Sequence, residues 1–195
     1  MAATNPYIRK IGNIDGEALP TYRLIDDFGF YVEELPFVLS TEVKDVDSNS
    51  YYDEDGDVEW VQRRLRVKAY EMKIKFISKG TKEVLYGRYK KLRNYMLGLD
   101  NTGTSFMLYD EWHGIGRKDI RLSKFDDSAE YDEMNDGTFV LAIEVTLKVN
   151  DPLTDVYVDD NGNLYAEDGS GLVINGEEVV PYENCYVTDN TLYIV

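Results

Sequence analysis

The longest regular pattern in the chain is Phe139-Val-Leu-Ala-Ile-Glu-Val-Thr-Leu-Lys-Val149, with Phe139, Leu141, Ile143, Val145, Leu147 and Val149 at every second position. A period of two is that of a β-strand, whose successive side chains point to opposite faces. No helix can gather these six side chains on one side, so the fold must contain a sheet long enough to bury them. The opposite side of the strand starts apolar at Val140 and Ala142 and ends polar at Glu144, Thr146 and Lys148. The strand is therefore expected to be covered on both faces at its start and on one at its end. Asn150-Asp-Pro152 follows, and proline has no amide proton to give a ladder, so the strand is expected to stop there.

Leu65–Ile77 is a second long strand candidate with a break in parity. Leu65, Val67 and Ala69 are apolar at odd positions, and Tyr70, Met72, Ile74 and Phe76 at even ones. A one-residue slip turns a core face outward, so a β-bulge or a change of sheet is expected near Ala69–Tyr70. Shorter strands fit 31–39, 105–109 and 120–125. One helix stands out in 81–99, where Leu85, Tyr89, Leu92, Met96 and Leu99 form a single stripe, with Lys90, Lys91, Arg93 and Asn94 opposite. Thr81 can cap its start and Gly98 or Gly103 its end.

Two acidic segments, 44–59 and 126–137, are long for loops and suit extended hairpin arms or insertions. Past Pro152, Asn161-Gly162 and Asn175-Gly176 are tight-turn signals between short apolar and aromatic runs. The pattern reads as mainly β with one packed α-helix (about 82–98) and a small C-terminal β-hairpin extension. The expected division is 1–152 for the main domain and 153–195 for a small β-meander.

Charge is segregated. The chain has 21 Lys and Arg against 37 Asp and Glu, yet residues 63–93 hold 12 basic residues and two acids. After Asn150 there are ten acids and no Lys or Arg. Surfaces of opposite sign on one subunit suit contact with a neighbour. A net charge of −16 argues against sequence-specific DNA binding, which draws its affinity from Lys and Arg on phosphates. The opening residues lack an apolar core of signal-peptide length, and no apolar run reaches ~18 residues, so a soluble protein away from membranes is expected.

Sites of chemistry are few. Cys185 is the single thiol and His113 the single histidine, which excludes an intramolecular disulfide, Cys-based zinc and His clusters. Asp53-Glu-Asp-Gly-Asp57 fails the EF-hand template, because the positions that need Gly and Glu hold Val58 and Arg64. Asp110 and Glu111 resemble a glycosidase pair only on paper, since adjacent strand residues face opposite ways. No nucleophile elbow or phosphate-binding Gly-rich loop occurs. No catalytic residue, cofactor or metal is assigned. A competing reading is a calcium-assisted carbohydrate-binding or adhesin β-sandwich using Asp53, Asp55 and Asp57.

Several landmarks follow one another in a familiar order. These are the strand start Asn13-Ile-Asp-Gly16, the acidic Asp53–Asp57, the strand ending Met72-Lys-Ile-Lys-Phe76 and the helix at Tyr89–Leu97. After them come a strand-turn-strand over Ser105–Phe125, with Tyr109 and Arg121, and the apolar strand into Asp151-Pro152. From Ile14 to Pro152 the chain resembles the N-terminal ring domain of distal tail proteins of long-tailed phages, a variant of the tail-tube fold. Many members carry a larger second β domain where this chain has 43 residues. The resemblance implies a β-sandwich or half-barrel, a homohexameric ring at the end of the tail tube, and partners in the tube and the tail-tip hub. It implies DNA passing through the lumen without specific binding, no membrane contact, and a place in the virion after assembly in the bacterial cytoplasm. Tail-tube and tail-terminator subunits share the fold and stay open as alternatives. An acidic bore suits passing DNA, because a basic wall would hold phosphates. Arg63, Arg64, Arg66, Lys90 and Lys91 are the expected inter-subunit cations, facing Asp53, Asp55 and Asp57 of a neighbour.

Overall fold

The alternating run at 139–149 is the spine of one nine-stranded antiparallel sheet. The computed structural model describes residues 5–14, 17–39, 41–45, 48–50, 57–59, 65–126 and 130–166, and the short strands Val173–Ile174, Glu177–Glu178, Cys185–Thr188 and Thr191–Ile194. The sheet holds β1 (Tyr7–Lys10), β2 (Thr21–Arg23), β3 (Tyr31–Val32), β4 (Tyr70–Gly80), β5 (Phe106–Asp110), β6 (Ile115–Phe125), β7 (Glu130–Glu133), β8 (Phe139–Val158) and β9 (Leu164–Ala166). Its order is β2-β1-β5-β6-β8-β4-β3, with β7 and β9 also pairing with β8. The fold is mainly β with one α-helix.

The edges of this sheet are joined by a short connection, and that makes it curl. Seven strands laid flat span roughly 29 Å between the outermost two. Only residues 24–30 separate β2 from β3, and five of them, Leu24–Phe28, form a π-type helical turn. Such a segment reaches about 18 Å, so a flat sheet is excluded and a half-barrel results. Leu24, Phe28 and Phe30 are fully or almost fully buried beneath the connection.

Inside the curve lies helix α1 (Lys82–Leu97). Thr81 caps it, its hydroxyl accepting from the Val84 amide, and Gly98 ends it in the left-handed region at φ 69°. Leu85, Leu92 and Met96 are buried in the main core with Met72, Ile74, Phe76 and Leu141, Ile143, Val145, Leu147 and Val149 of β8, and Tyr89 is packed against them. Tyr95 joins this core as well. Leu99 belongs to the expected stripe but is 61% exposed, because the turn at Gly98 swings the chain away one residue earlier. Lys10 is buried against the same core. Its ammonium donates to the Gly103 carbonyl at 2.5 Å and lies 4.7 Å from the Tyr95 ring, and burial lowers its pKa despite the opposing pull of Asp100.

The expected strand end at Pro152 is corrected: β8 runs on to Val158. Its pairing jumps from Lys118–Asp151 to Arg117–Asp155, so the ladder opens at the proline and then resumes. The Asp151 carboxylate accepts from the amides of Leu153 and Thr154 at 3.2 and 3.1 Å, and Arg117 pairs with Asp155 beyond the break. The Asp151 side chain thus takes up amides that the open ladder leaves without a strand partner. The strand crosses the boundary expected at Pro152, and its last residues pair with β9. This hairpin covers the outer face of the sheet, where Met107, Val156 and Leu164 form a second small core with Tyr7, Ile11 and Tyr109. The approach is close: a Cβ on Gly116 would lie 2.8 Å from the Val156 carbonyl oxygen.

Two other strands are shorter than expected. At 31–39 only Tyr31–Val32 is paired, ahead of Pro36. The candidate at Leu65–Ile77 starts at Tyr70, because Val67 bridges Val43 instead. The chain changes partner there, and this is the cause of the parity break. Asn161-Gly162 lies in the loop 159–163 rather than in a two-residue turn, whereas Ile174 pairs with Glu177 across Asn175-Gly176. The acidic segment at 44–59 contains a hairpin pairing Ser48–Ser50 with Asp57–Glu59.

Candidate assembly interface

Strand alternation divides the basic stretch of the sequence between two surfaces. Even-numbered residues of β4 fill the core, so Lys73, Lys75 and Lys79 face outward with Glu71. Register brings cations from distant sequence to the same side: Arg121 of β6 pairs with Lys148 of β8, which pairs with Glu71. Lys124 and Lys73 flank Thr146 in the same way. The outer face of these three strands therefore carries six cations against Glu71 and Glu144. At its rim Lys124 pairs with Asp126 at 2.7 Å and Lys79 with Asp136 at 3.2 Å. Hydrogen bonds from Thr138, helped by Lys79, hold the Asp136 carboxyl down to about 2.

The helix carries the second basic surface, and part of it is engaged within the subunit. The Lys91 ammonium donates to the Asp27 carbonyl at 2.6 Å and lies 5.1 Å from the Phe28 ring. Arg88 donates to the Ser78 hydroxyl and the Lys79 carbonyl at 3.0 and 2.9 Å. Both contacts tie the helix to the sheet and the π-type turn. Lys90 is exposed beside Tyr86, 5.4 Å from its ring. Arg66 is exposed at a groove of about 280 Å³ that also takes in Lys44, Leu65, Asp151 and Leu153. Arg63, Arg64, Asp53 and Asp55 lie outside the described residues, and Asp57 is placed only by its backbone at the start of a hairpin strand. Of the expected cations, Arg66 and Lys90 are exposed, and Lys91 is engaged within its own subunit.

At the β5–β6 turn, Asp110 and Glu111 diverge as their adjacency requires. Asp110 is fully buried, bonded to the His113 ring nitrogen Nδ1 and accepting from the Trp112 amide at 3.2 Å. Glu111 points outward and pairs with Arg23 at 2.6 Å. Burial raises the pKa of neighbouring Tyr109, with the charges of Glu111 and Asp110 adding to the effect. The Asp110 carboxylate is thus engaged inside the turn, while that of Glu111 lies at the surface against Arg23. The turn is a rigid support that leaves Trp112 72% exposed.

Among the described residues no three His, Cys, Asp or Glu side chains are grouped to hold a metal ion, and no helix is long and apolar enough to cross a membrane. The outward cations Arg121, Lys124 and Lys148 were not legible as a patch, because only strand register unites them with Lys73. No family model, curated protein or solved structure shows a significant match to the chain.

Proposed function

We propose that the chain is a structural subunit of a phage tail that closes with copies of itself into a homohexameric ring around the DNA channel. In this reading it stands where distal tail proteins stand, between the tail tube and the tail tip. The observation that carries it is the curled antiparallel sheet backed by one helix, with an acidic hairpin and cationic outer surfaces on the same subunit. A closed ring needs a heterologous contact, in which one patch meets a different patch on the next copy. Surfaces of opposite sign set the register of such a contact and speed its formation. The cationic face of β4, β6 and β8 then meets acidic residues of the next copy, and the remaining acidic segments are left for the bore, where they repel passing phosphates. Distal tail, tube and terminator positions differ in neighbours and not in this chemistry. No chemical step is assigned to the protein. Sedimentation over a concentration series tests the reading: a discrete six-copy species that falls apart as salt rises supports it. A monomer at every concentration refutes it.

A further inference from the structure

The most exposed large hydrophobic side chain but one in the described residues is an indole on a rigid support. Trp112 is 72% exposed at the β5–β6 turn. Its own amide donates to the buried Asp110 carboxylate, the Gly114 amide donates to the Asp110 carbonyl at 2.9 Å, and His113 is bonded to the same carboxylate. The backbone that carries the indole is thus held from within, so the turn itself has little order to lose when the indole is covered. Trp side chains are enriched among the anchors of protein interfaces.

A matching recess exists elsewhere on the molecule. A groove of about 530 Å³ is lined by Lys82, Tyr86, Glu133 and Phe139. Lys82 lies 4.5 Å from the Phe139 ring, and Lys90 lies 5.4 Å from the Tyr86 ring at its margin. Tyr86 and the nearby Val84 and Met134 are exposed. The groove offers what an indole needs: ring faces for stacking, a cation for its π-system, and the Glu133 carboxylate for its single N–H donor. The groove carries Lys82 and Lys90 against Glu133, and the turn carries the exposed Glu111 paired with Arg23, so the two surfaces do not repel.

Anchor and groove stand at opposite ends of the sheet. The turn precedes Arg117, which pairs with Asp155 late in β8, whereas Phe139 is the first residue of β8 and pairs with Gly80 just before the helix. Between Phe139 and Asp155 the strand path covers roughly 50 Å, less the bend at Pro152. One subunit therefore cannot fill its own groove, and a chain of copies joined this way runs head to tail.

We infer that Trp112 of one copy seats in the Lys82–Tyr86–Glu133–Phe139 groove of the next. This contact rests on the ring reading and gives it a specific joint. The test uses the full chain and two surface variants, Trp112→Ala and Tyr86→Glu, the second setting a negative charge against Glu111. Each variant alone keeps the wild-type melting temperature and sedimentes as a monomer, with self-association weakened about 30-fold or more. An equimolar mixture forms a one-to-one dimer and nothing larger, because only one intact anchor meets one intact groove. Assembly of Trp112→Ala into the wild-type species, or a mixture that stays monomeric, overturns the joint while leaving the ring reading in place. A wild-type chain that never assembles overturns both.

Discussion

Replacing Leu92 by alanine isolates what the helix contributes to the fold. Leu92 is fully buried in the main core. Truncating a leucine in such a setting removes its transfer free energy and leaves a cavity that relaxes only in part, at a cost of about 2–5 kcal/mol. For a chain of 195 residues the unfolding entropy near the midpoint is roughly 0.4 kcal/mol/K, so the melting temperature should fall by about 5–12 °C. Leu99→Ala is the companion variant. Leu99 sits on the same helical stripe in the sequence but is exposed beyond Gly98, so its truncation should stay within about 0.5 kcal/mol. Circular-dichroism melting and urea titration of both variants give the comparison. Equal losses at the two positions, or no loss at Leu92, would refute the packing described for α1.

Gly116→Ala should cost about 1–3 kcal/mol in urea unfolding, because its Cβ would meet the Val156 and Leu108 carbonyl oxygens at 2.8 and 2.9 Å, and backbone on both sides must yield. Asp136 should titrate near 2 by NMR. Its folded pKa is depressed, so its contribution to stability is present above the ordinary carboxylate value of about 3.9 and is lost as pH falls through about 2; Thr138→Val should move the titration upward. Lys10 has a lowered folded pKa, so between that value and about 10.4 the unfolded chain holds more protons than the folded one, and stability should climb as pH rises through that window. Lys10→Met should abolish the climb in alkaline melting scans, and a climb of unchanged size would exclude Lys10 as its source.

Much of the fold was legible where burial imposes a period. The apolar positions of 139–149 predict their strand because one face had to be covered, and Leu85, Leu92 and Met96 predict the helix for the same reason. Tyr95 lies on that stripe three residues after Leu92, and its burial could have been read from spacing had its hydroxyl been discounted. What escaped was non-local. The restart of β8 after Pro152 depends on Asp151 and on Arg117, a residue 35 positions before the proline. The parity break at Ala69 was visible, but its cause was a bridge from Val67 to Val43. At the candidate interface, Arg66 and Lys90 were identifiable as basic and exposed. The joining of Arg121, Lys148 and Lys73 on one face followed only from register, which no local pattern encodes. Lys91 looked available because the turn that accepts its proton, at Asp27, is 64 residues away.

Negative-stain electron microscopy of the purified chain at high protein concentration makes a ring visible. Annular particles of six copies with an open centre are expected. A field of single compact particles at every concentration would contradict the ring.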